Sequence, residues 1–327
     1  MNALTISALI ILAVFLVIYF AIVILDLRKA KKNNEKYHKS EWIAAFLMLL
    51  PALILAFFFI LLPILYSLGY SFTDYYLLKP NEINFNGFEN FVIIFKEIAD
   101  KGMLYDAIKN TAIFVVLVVP LQIFVALGLA LLCSQKRFGV SVFKICFFAP
   151  MMVSLTVTSY LWLQILSPSK TGLMNSFLAL FGVESQEFLQ DPNTAILWIV
   201  ILSAWQGAGY QMIIFLSALG NIRSDLYEAA SLDGANAWYK FTRVTIPGIR
   251  STFIYVLITV FIGACRIMVQ PMLMIGYQKN GVTISYYMYQ EGYYNRWVGV
   301  SSAVALLMTI FIGSITLLQR KLFSEKK

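Results

Sequence analysis

Three pairs of polar side chains interrupt otherwise apolar runs, each pair separated by four residues: Tyr160 with Gln164, Gln206 with Tyr210, and Arg266 with Gln270. On a helix such a pair shares one face. Trp162 and Trp205 lie close by in the chain. Rings that stack, together with amide and guanidinium donors, suit a neutral, hydroxyl-rich ligand such as a sugar. The same residue types also form interfacial aromatic belts and polar bridges between helices, so composition alone leaves both readings open. Arg266 stands apart, because a charge in mid-span costs roughly 3 kcal/mol or more and must face the bundle or a watery cavity. None of this is bond-making chemistry. His38 is the sole histidine, which excludes an HExxH metal site and any His-dependent triad. The nearest approach to a phosphate loop, GYQKNG at 276–281, is followed by Val282 and Thr283 where Lys and Ser/Thr belong. The chain is therefore expected to be no enzyme and to carry no cofactor or metal of its own.

The elements that position these residues are membrane spans. Of 327 residues 60% are hydrophobic and 13% charged, with a mean hydropathy of +0.77, against about 25% charged in soluble domains. Seven apolar stretches reach the ~20 residues a span requires: roughly 4–25, 43–72, 107–132, 142–166, 195–219, 251–275 and 298–319. The expected fold is all-α, a polytopic membrane bundle of about seven spans. The first stretch lacks a basic n-region and ends in ILDLRKAKK rather than a small-residue cleavage site, so it reads as a retained span. Pro51, Pro63, Pro120, Pro150 and Pro271 are expected to mark kinks or span ends. Cys133, Cys146 and Cys265 fall in or beside apolar runs without disulfide or metal-ligand spacing.

Charge sets the expected orientation. Loop 26–42 holds Arg28, Lys29, Lys31, Lys32, Lys36 and Lys39, and further basic residues lie in 133–144, in 220–250 and after 320; the alternate loops hold fewer. The positive-inside rule then puts the amino terminus outside and the carboxyl terminus in the cytoplasm. The net charge of +8 thus reads as basic loops at a membrane, with no nucleic-acid partner. All 17 Asp and Glu residues lie in loops, tails or span edges, whereas an ion-coupled carrier usually keeps a carboxylate in its pathway.

One loop breaks the apolar pattern most sharply: Ser224 to Pro247, SDLYEAASLDGANAWYKFTRVTIP. Asp225 followed three residues later by Glu228 reads as a capping pair that opens a helix. Gly234 permits the backbone turn that ends it, and ANAWYKFTRV reads as a second short helix presenting Trp238, Phe241 and Val244. Pro247 precedes the next span. Taken alone, the loop is either an amphipathic element on the membrane surface or a docking element for a partner.

Glu228, Ala229 and Ala230, then three residues, Gly234, nine residues, and Val244, Thr245, Ile246 and Pro247 resemble the EAA loop of ABC importer permeases. Val244 stands for Ile and Ile246 for Leu of that pattern. The string LDGANAWYKFTRVTIPGI is similar to the carbohydrate subgroup of maltose-type and glycerol-3-phosphate-type permeases. The resemblance implies an extra N-terminal span and basic linker at 1–42, a six-span permease core at 43–320 with its coupling loop at 224–247, and a cytoplasmic tail at 321–327. It also implies that Glu228, Ala229, Ala230, Asp233, Gly234 and Pro247 form the ATPase-coupling element; the polar pairs and rings noted above make Tyr160, Gln164, Trp205, Gln206, Tyr210, Arg266 and Gln270 the pathway candidates. The implied partners are a second permease in a heterodimer, two cytoplasmic ATP-binding subunits that bind the ATP, an extracytoplasmic solute-binding lipoprotein, and the lipid of a bacterial plasma membrane. The implied cargo is a sugar or oligosaccharide. Arg266 in the pathway would favour an anionic cargo instead, such as a polyol phosphate or an acidic saccharide. The Gly-Gly-Pro turn of many sugar permeases is missing from LMIGYQKNGVTISYYMY. Two other classes stay in view: an ATP-independent carrier, which would not need the strict loop spacing, and a membrane enzyme, which would need clustered acids or histidines.

Overall fold

The computed structural model describes residues 39–135 and 138–323, so the first expected span, 4–25, and the tail after 323 lie outside the described residues. The chain divides into two units, 1–70 and 71–327. The described part of the first is one apolar helical run: α1 (Lys39–Ala56), a π-turn at Phe57–Leu61, and α2 (Leu62–Tyr70). Pro63 lacks an N–H and its ring crowds the carbonyl four residues earlier, and the turn just before it is the widened one.

The second unit runs through α3 (Glu89–Ala99), α4 (Met103–Cys133), α5 (Val140–Met152), α6 (Leu155–Ile165), α7 (Leu173–Ala179) and α8 (Ala195–Gly220). It continues with α9 (Ser224–Leu232), α10 (Ala237–Lys240), α11 (Ile246–Gly248), α12 (Arg250–Cys265), α13 (Val269–Met274), α14 (Ile284–Tyr289) and α15 (Val298–Phe323). Among the described residues no strand forms, only isolated bridges between Thr73 and Phe85 and between Tyr76 and Trp297.

Five described runs are long and apolar enough to cross a membrane: Leu47–Tyr70, Met103–Cys133, Ala195–Gly220, Arg250–Met274 and Val298–Leu322. A sixth is counted if α5 and α6 form one span, yet these two are bent by 100°. The stretch expected at 142–166 is therefore broken rather than straight. Pro150 removes an N–H in the last turn of α5, Val153 turns extended, and Ser154 starts α6 by accepting the Val157 N–H at 3.4 Å. Pro120, by contrast, sits inside the unbroken α4, so proline alone does not predict a break.

Freed backbone groups in a bilayer need partners, and Gln206 supplies them at this bend. From α8 its Nε2 donates to the Val153 carbonyl at 3.2 Å, to Thr158 Oγ1 at 3.2 Å and to the Pro150 carbonyl at 3.5 Å. Close approach makes this possible: a Cβ at Gly209 would overlap the Phe147 carbonyl, and one at Gly207 the Gln122 amide. Small buried residues (Ala126, Ala130, Ala204 and Ala208) continue the α4–α8 seam, the packing expected where lipid removes any hydrophobic gain between helices. Around that seam Phe114, Met212, Phe215, Val256 and Phe261 complete the main core.

The segment between α13 and α15 is tied down by side chains. Asn110 Nδ2 donates to the carbonyls of Lys279 (2.8 Å) and Val282 (2.9 Å), and Thr111 Oγ1 accepts the Ile284 N–H at 3.0 Å. Tyr287 donates to Glu97 Oε2 at 2.5 Å, while Glu97 Oε1 accepts the Leu104 N–H at 3.2 Å in the first turn of α4. Nearby, burial pushes the Glu291 carboxyl above the usual range and the Glu97 charge adds to it, against the hydrogen bond that Asn295 donates.

Replacing Gln206 by Leu strips the bend of its donor and leaves the Val153 carbonyl without the hydrogen bond it receives there, while the Pro150 carbonyl keeps the Val153 N–H at 3.4 Å. The expected loss is about 1–3 kcal/mol, read as a lower thermal midpoint of the purified protein, with Gln206→Glu failing to restore it.

Candidate functional site

The polar loop folds as two helices joined by a tight turn. Alpha-9 ends in a Schellman arrangement: Gly234 adopts φ +76°, its N–H bonds to the Ser231 carbonyl at 3.1 Å, and Ala235 N–H bonds to the Ala230 carbonyl at 2.9 Å. A residue with a Cβ would be strained at that φ. The helix start differs from the expected capping pair. The N-cap is Arg223, without a side-chain cap, and Asp225 turns back to pair with its guanidinium, Nε to Oδ1 at 3.1 Å. A carboxylate whose oxygens are engaged by a guanidinium two residues earlier does not reach the orphan N–H groups. The cap that does form belongs to the second helix, where Asn236 Oδ1 accepts the Tyr239 N–H at 2.8 Å.

Two side-chain bridges then clasp the helices together. Tyr227 Oη lies 2.9 Å from Thr245 Oγ1, and Lys240 Nζ donates to Ser231 Oγ at 2.7 Å, with Ser231 in turn donating to the Tyr227 carbonyl at 2.7 Å. Thr245 is buried at 5% exposure. A second π-turn, Phe241–Thr245, again sits just before a proline, Pro247, and leads through α11 into α12. The hairpin is thus internally fixed and joined to a span. On its outer surface Glu228, Ala229, Asp233, Gly234 and Pro247 are exposed and Ala230 is half-buried. Among the described residues Glu228 has neither a hydrogen bond nor an ion pair.

The second candidate region is a cavity of about 310 Å³ between α4, α6, α8 and the break between α12 and α13. Arg266 and Gln270 both line it. They are not an i,i+4 pair on one helix as expected, because α12 ends at Cys265 and α13 begins at Val269. The break instead brings them to one cavity by ending a helix there. Arg266 occupies the C-cap of α12, where the helix dipole favours a cation. Its guanidinium has no ion-pair partner among the described residues. Thr283 steadies the break by donating to the Ile267 carbonyl at 2.7 Å.

The remaining predicted residues stand elsewhere. Gln206 is buried at the α5–α6 bend, while Tyr160, Gln164, Trp205 and Tyr210 are exposed and do not line the cavity. Trp162 and Trp205 pack with ring centroids 5.8 Å apart. In their place the cavity gathers Gln122, Ser203, Gln211 and Thr259. Ser203 Oγ and Gln211 Oε1 are buried without a partner among the described residues, and such atoms await a ligand or water. Gln122, Ser203 and Gln211 have no polar residue four positions away, so a search for i,i+4 pairs passes over them.

Residues 106–326 match the family model described as binding-protein-dependent transport system inner membrane component. The arabinooligosaccharides transport system permease protein AraP of Bacillus subtilis is 28% identical over 88% of this chain and 91% of its own. The lactose transport system permease protein LacF of Rhizobium radiobacter is 29% identical over 91% and 99%. Among solved structures, a bacterial ABC transporter involved in import of the acidic polysaccharide alginate is similar with a TM-score of 0.73 and 25% identity, over 87% of this chain and 96% of that one. The same type of transporter in complex with an alginate pentasaccharide-bound periplasmic protein gives a TM-score of 0.74 at 25% identity, over 86% and 94%.

Tyr227→Phe removes one bridge of the clasp at a cost of about 1 kcal/mol. Amide exchange across 237–245 is expected to speed up several-fold while exchange in α4 and α8 stays unchanged, as read by hydrogen–deuterium exchange.

Proposed function

The chain belongs to the family of binding-protein-dependent transport system inner membrane components, and on that premise we propose that it is one membrane half of an ATP-driven importer of sugars, oligosaccharides above all. As a permease it is not itself an enzyme. Two cytoplasmic ATP-binding subunits, a second permease and an extracytoplasmic solute-binding lipoprotein complete the transporter. In this reading residues 1–42 are an extension with its own span, 43–320 the six-span core, and 321–327 a tail. The amino terminus lies outside and the carboxyl terminus in the cytoplasm of a bacterial cell.

The observation that carries the reading is the exposed, internally clasped hairpin around Glu228. An ATPase that grips Glu228, with Ala229 and Ala230 allowing close approach, moves α9. The Tyr227–Thr245 and Lys240–Ser231 bridges pass that motion to the start of α12. Helix α12 ends at Cys265, with its C-cap Arg266 lining the cavity, so a rigid-body shift at the loop alters the cavity wall. Nucleotide-driven closure of the ATPases then opens the cavity outward, and hydrolysis returns it inward. The buried donors and acceptors of Gln122, Ser203, Gln211 and Gln270 meet hydroxyl groups of the cargo.

One observation favours a second reading, an acidic saccharide or polyol phosphate as cargo. Arg266 lines the cavity and has no ion-pair partner among the described residues, and the similar solved transporter is described as importing an acidic polysaccharide. A planar bidentate donor suits a carboxylate or phosphate.

In the reconstituted transporter, Glu228→Lys is expected to lower substrate-stimulated ATP hydrolysis roughly tenfold or more, or to strip the ATPases on affinity purification. Unchanged stimulation with the ATPases retained removes the coupling role. Gln211→Ala is expected to raise the transport KM about fivefold with ATPase association intact. Arg266→Gln separates the two cargo classes: uptake of an acidic oligosaccharide falls while that of a neutral one persists, or neither changes and the acidic reading is lost.

A further inference from the structure

A larger cavity of about 670 Å³ lies at the end of the bundle that carries the polar hairpin, and the transport cycle proposed above does not use it. Leu131, Leu216, Leu219 and Phe241 give it an apolar wall, and Lys144 and Lys240 line it as well. The two lysines arrive from different elements, α5 and the second helix of the hairpin. Both are half-buried. Lys144 has no hydrogen bond or ion pair among the described residues, and Lys240 spends one proton on Ser231. No carboxylate lies within ion-pair distance of either among the described residues. Partly buried ammonium groups without a counter-ion are costly, and a cavity holding two of them calls for an anion.

The apolar wall narrows the choice of anion. A free hydrated phosphate gains nothing from four leucine and phenylalanine side chains, whereas a phosphodiester with acyl chains satisfies both halves. The outer surface of the same helix ends continues apolar, with Leu132, Phe143 and Ile145 exposed at 69%, 59% and 68%. Basic pockets between spans at the cytoplasmic face are where acidic headgroups settle.

We propose that this cavity is a headgroup site for an acidic phospholipid, with its phosphate held between Lys144 and Lys240 and its chains laid along the apolar wall. Lys240 also closes the hairpin clasp through Ser231, and Phe241 begins the π-turn. A lipid bound there contacts the same residues that make the hairpin rigid, so membrane composition acts on the element that receives motion from the ATPases.

The test is native mass spectrometry of the intact transporter complex, loaded with dioleoylphosphatidylglycerol and then washed with dioleoylphosphatidylcholine. Wild type is expected to retain phosphatidylglycerol, and Lys144→Gln/Lys240→Gln to retain it at least about tenfold less. Lys144→Arg/Lys240→Arg is expected to keep it, and Arg320→Gln/Lys321→Gln to leave it unchanged. Lys144→Gln alone, at the lysine outside the clasp, serves if the double variant does not assemble. Equal phosphatidylglycerol retention by the Gln variants overturns the site, as does equal retention of phosphatidylcholine. Displacement by free glycerol 1-phosphate at the same concentration makes it a small-anion site and overturns the lipid. Loss of the ATPases with lipid retention intact means that the lysines face an acidic protein surface, which also overturns it. None of these outcomes depends on the cargo or on Glu228.

Discussion

Everything in the second unit answers to one constraint: a backbone carbonyl or N–H inside a bilayer must find a partner. Continuous helices meet it by themselves, and α4 and α8 do so over 31 and 26 residues. Breaks meet it only where a side chain substitutes for the missing helical bond. Gln206 does so at the α5–α6 bend, and Thr283 beside the α12–α13 break. Both breaks border the 310 Å³ cavity, which is lined by Leu155 from one side and by Arg266 to Gln270 from the other. The cavity exists because two spans are interrupted, and the interruptions persist because specific side chains close the backbone account.

The same logic explains why the hairpin is rigid. Its helices are too short to be stable alone, with nine and four residues. Stability comes from the Schellman turn at Gly234, the Asn236 cap and the two bridges, each worth on the order of 1 kcal/mol. Glu228 itself contributes nothing to that stability through hydrogen bonds or ion pairs among the described residues. A residue held in place by others and left unengaged is suited to meeting a partner rather than to holding the fold.

How much of this was legible in the sequence varies with the range of the interaction. Spans were legible because hydropathy is a local sum, and six of the seven expected stretches correspond to described helical runs. The first, 4–25, lies outside the described residues. Gly234 was legible because positive φ selects glycine by sterics within one residue. The Asp225 cap was misread because a competing partner, Arg223, stands only two residues away and a pattern search does not weigh it. The bend at Val153 and the role of Gln206 were not legible, since they depend on residues some fifty positions apart meeting across α8. Pairing by i,i+4 found Arg266 and Gln270 for the wrong reason: they share a cavity because the helix ends between them.

The position of Arg266 also resolves an apparent conflict in cost. A guanidinium in mid-span is expensive when it must leave water alone. At a helix C-terminus the dipole favours a cation and lowers that cost. The break that creates the cavity therefore makes the charge tolerable there, and one local event accounts for both. The cavity volume sits at the low end of the roughly 300–1,000 Å³ typical of small-molecule sites. That is room for little more than a single sugar ring and its hydroxyl partners. Under the proposed function an oligosaccharide would need further wall than this cavity supplies, which the proposed second permease would provide. In the proposed importer size and charge would divide the work, with the neighbouring subunit extending the cavity and Arg266, Gln211 and Ser203 meeting one end of the cargo.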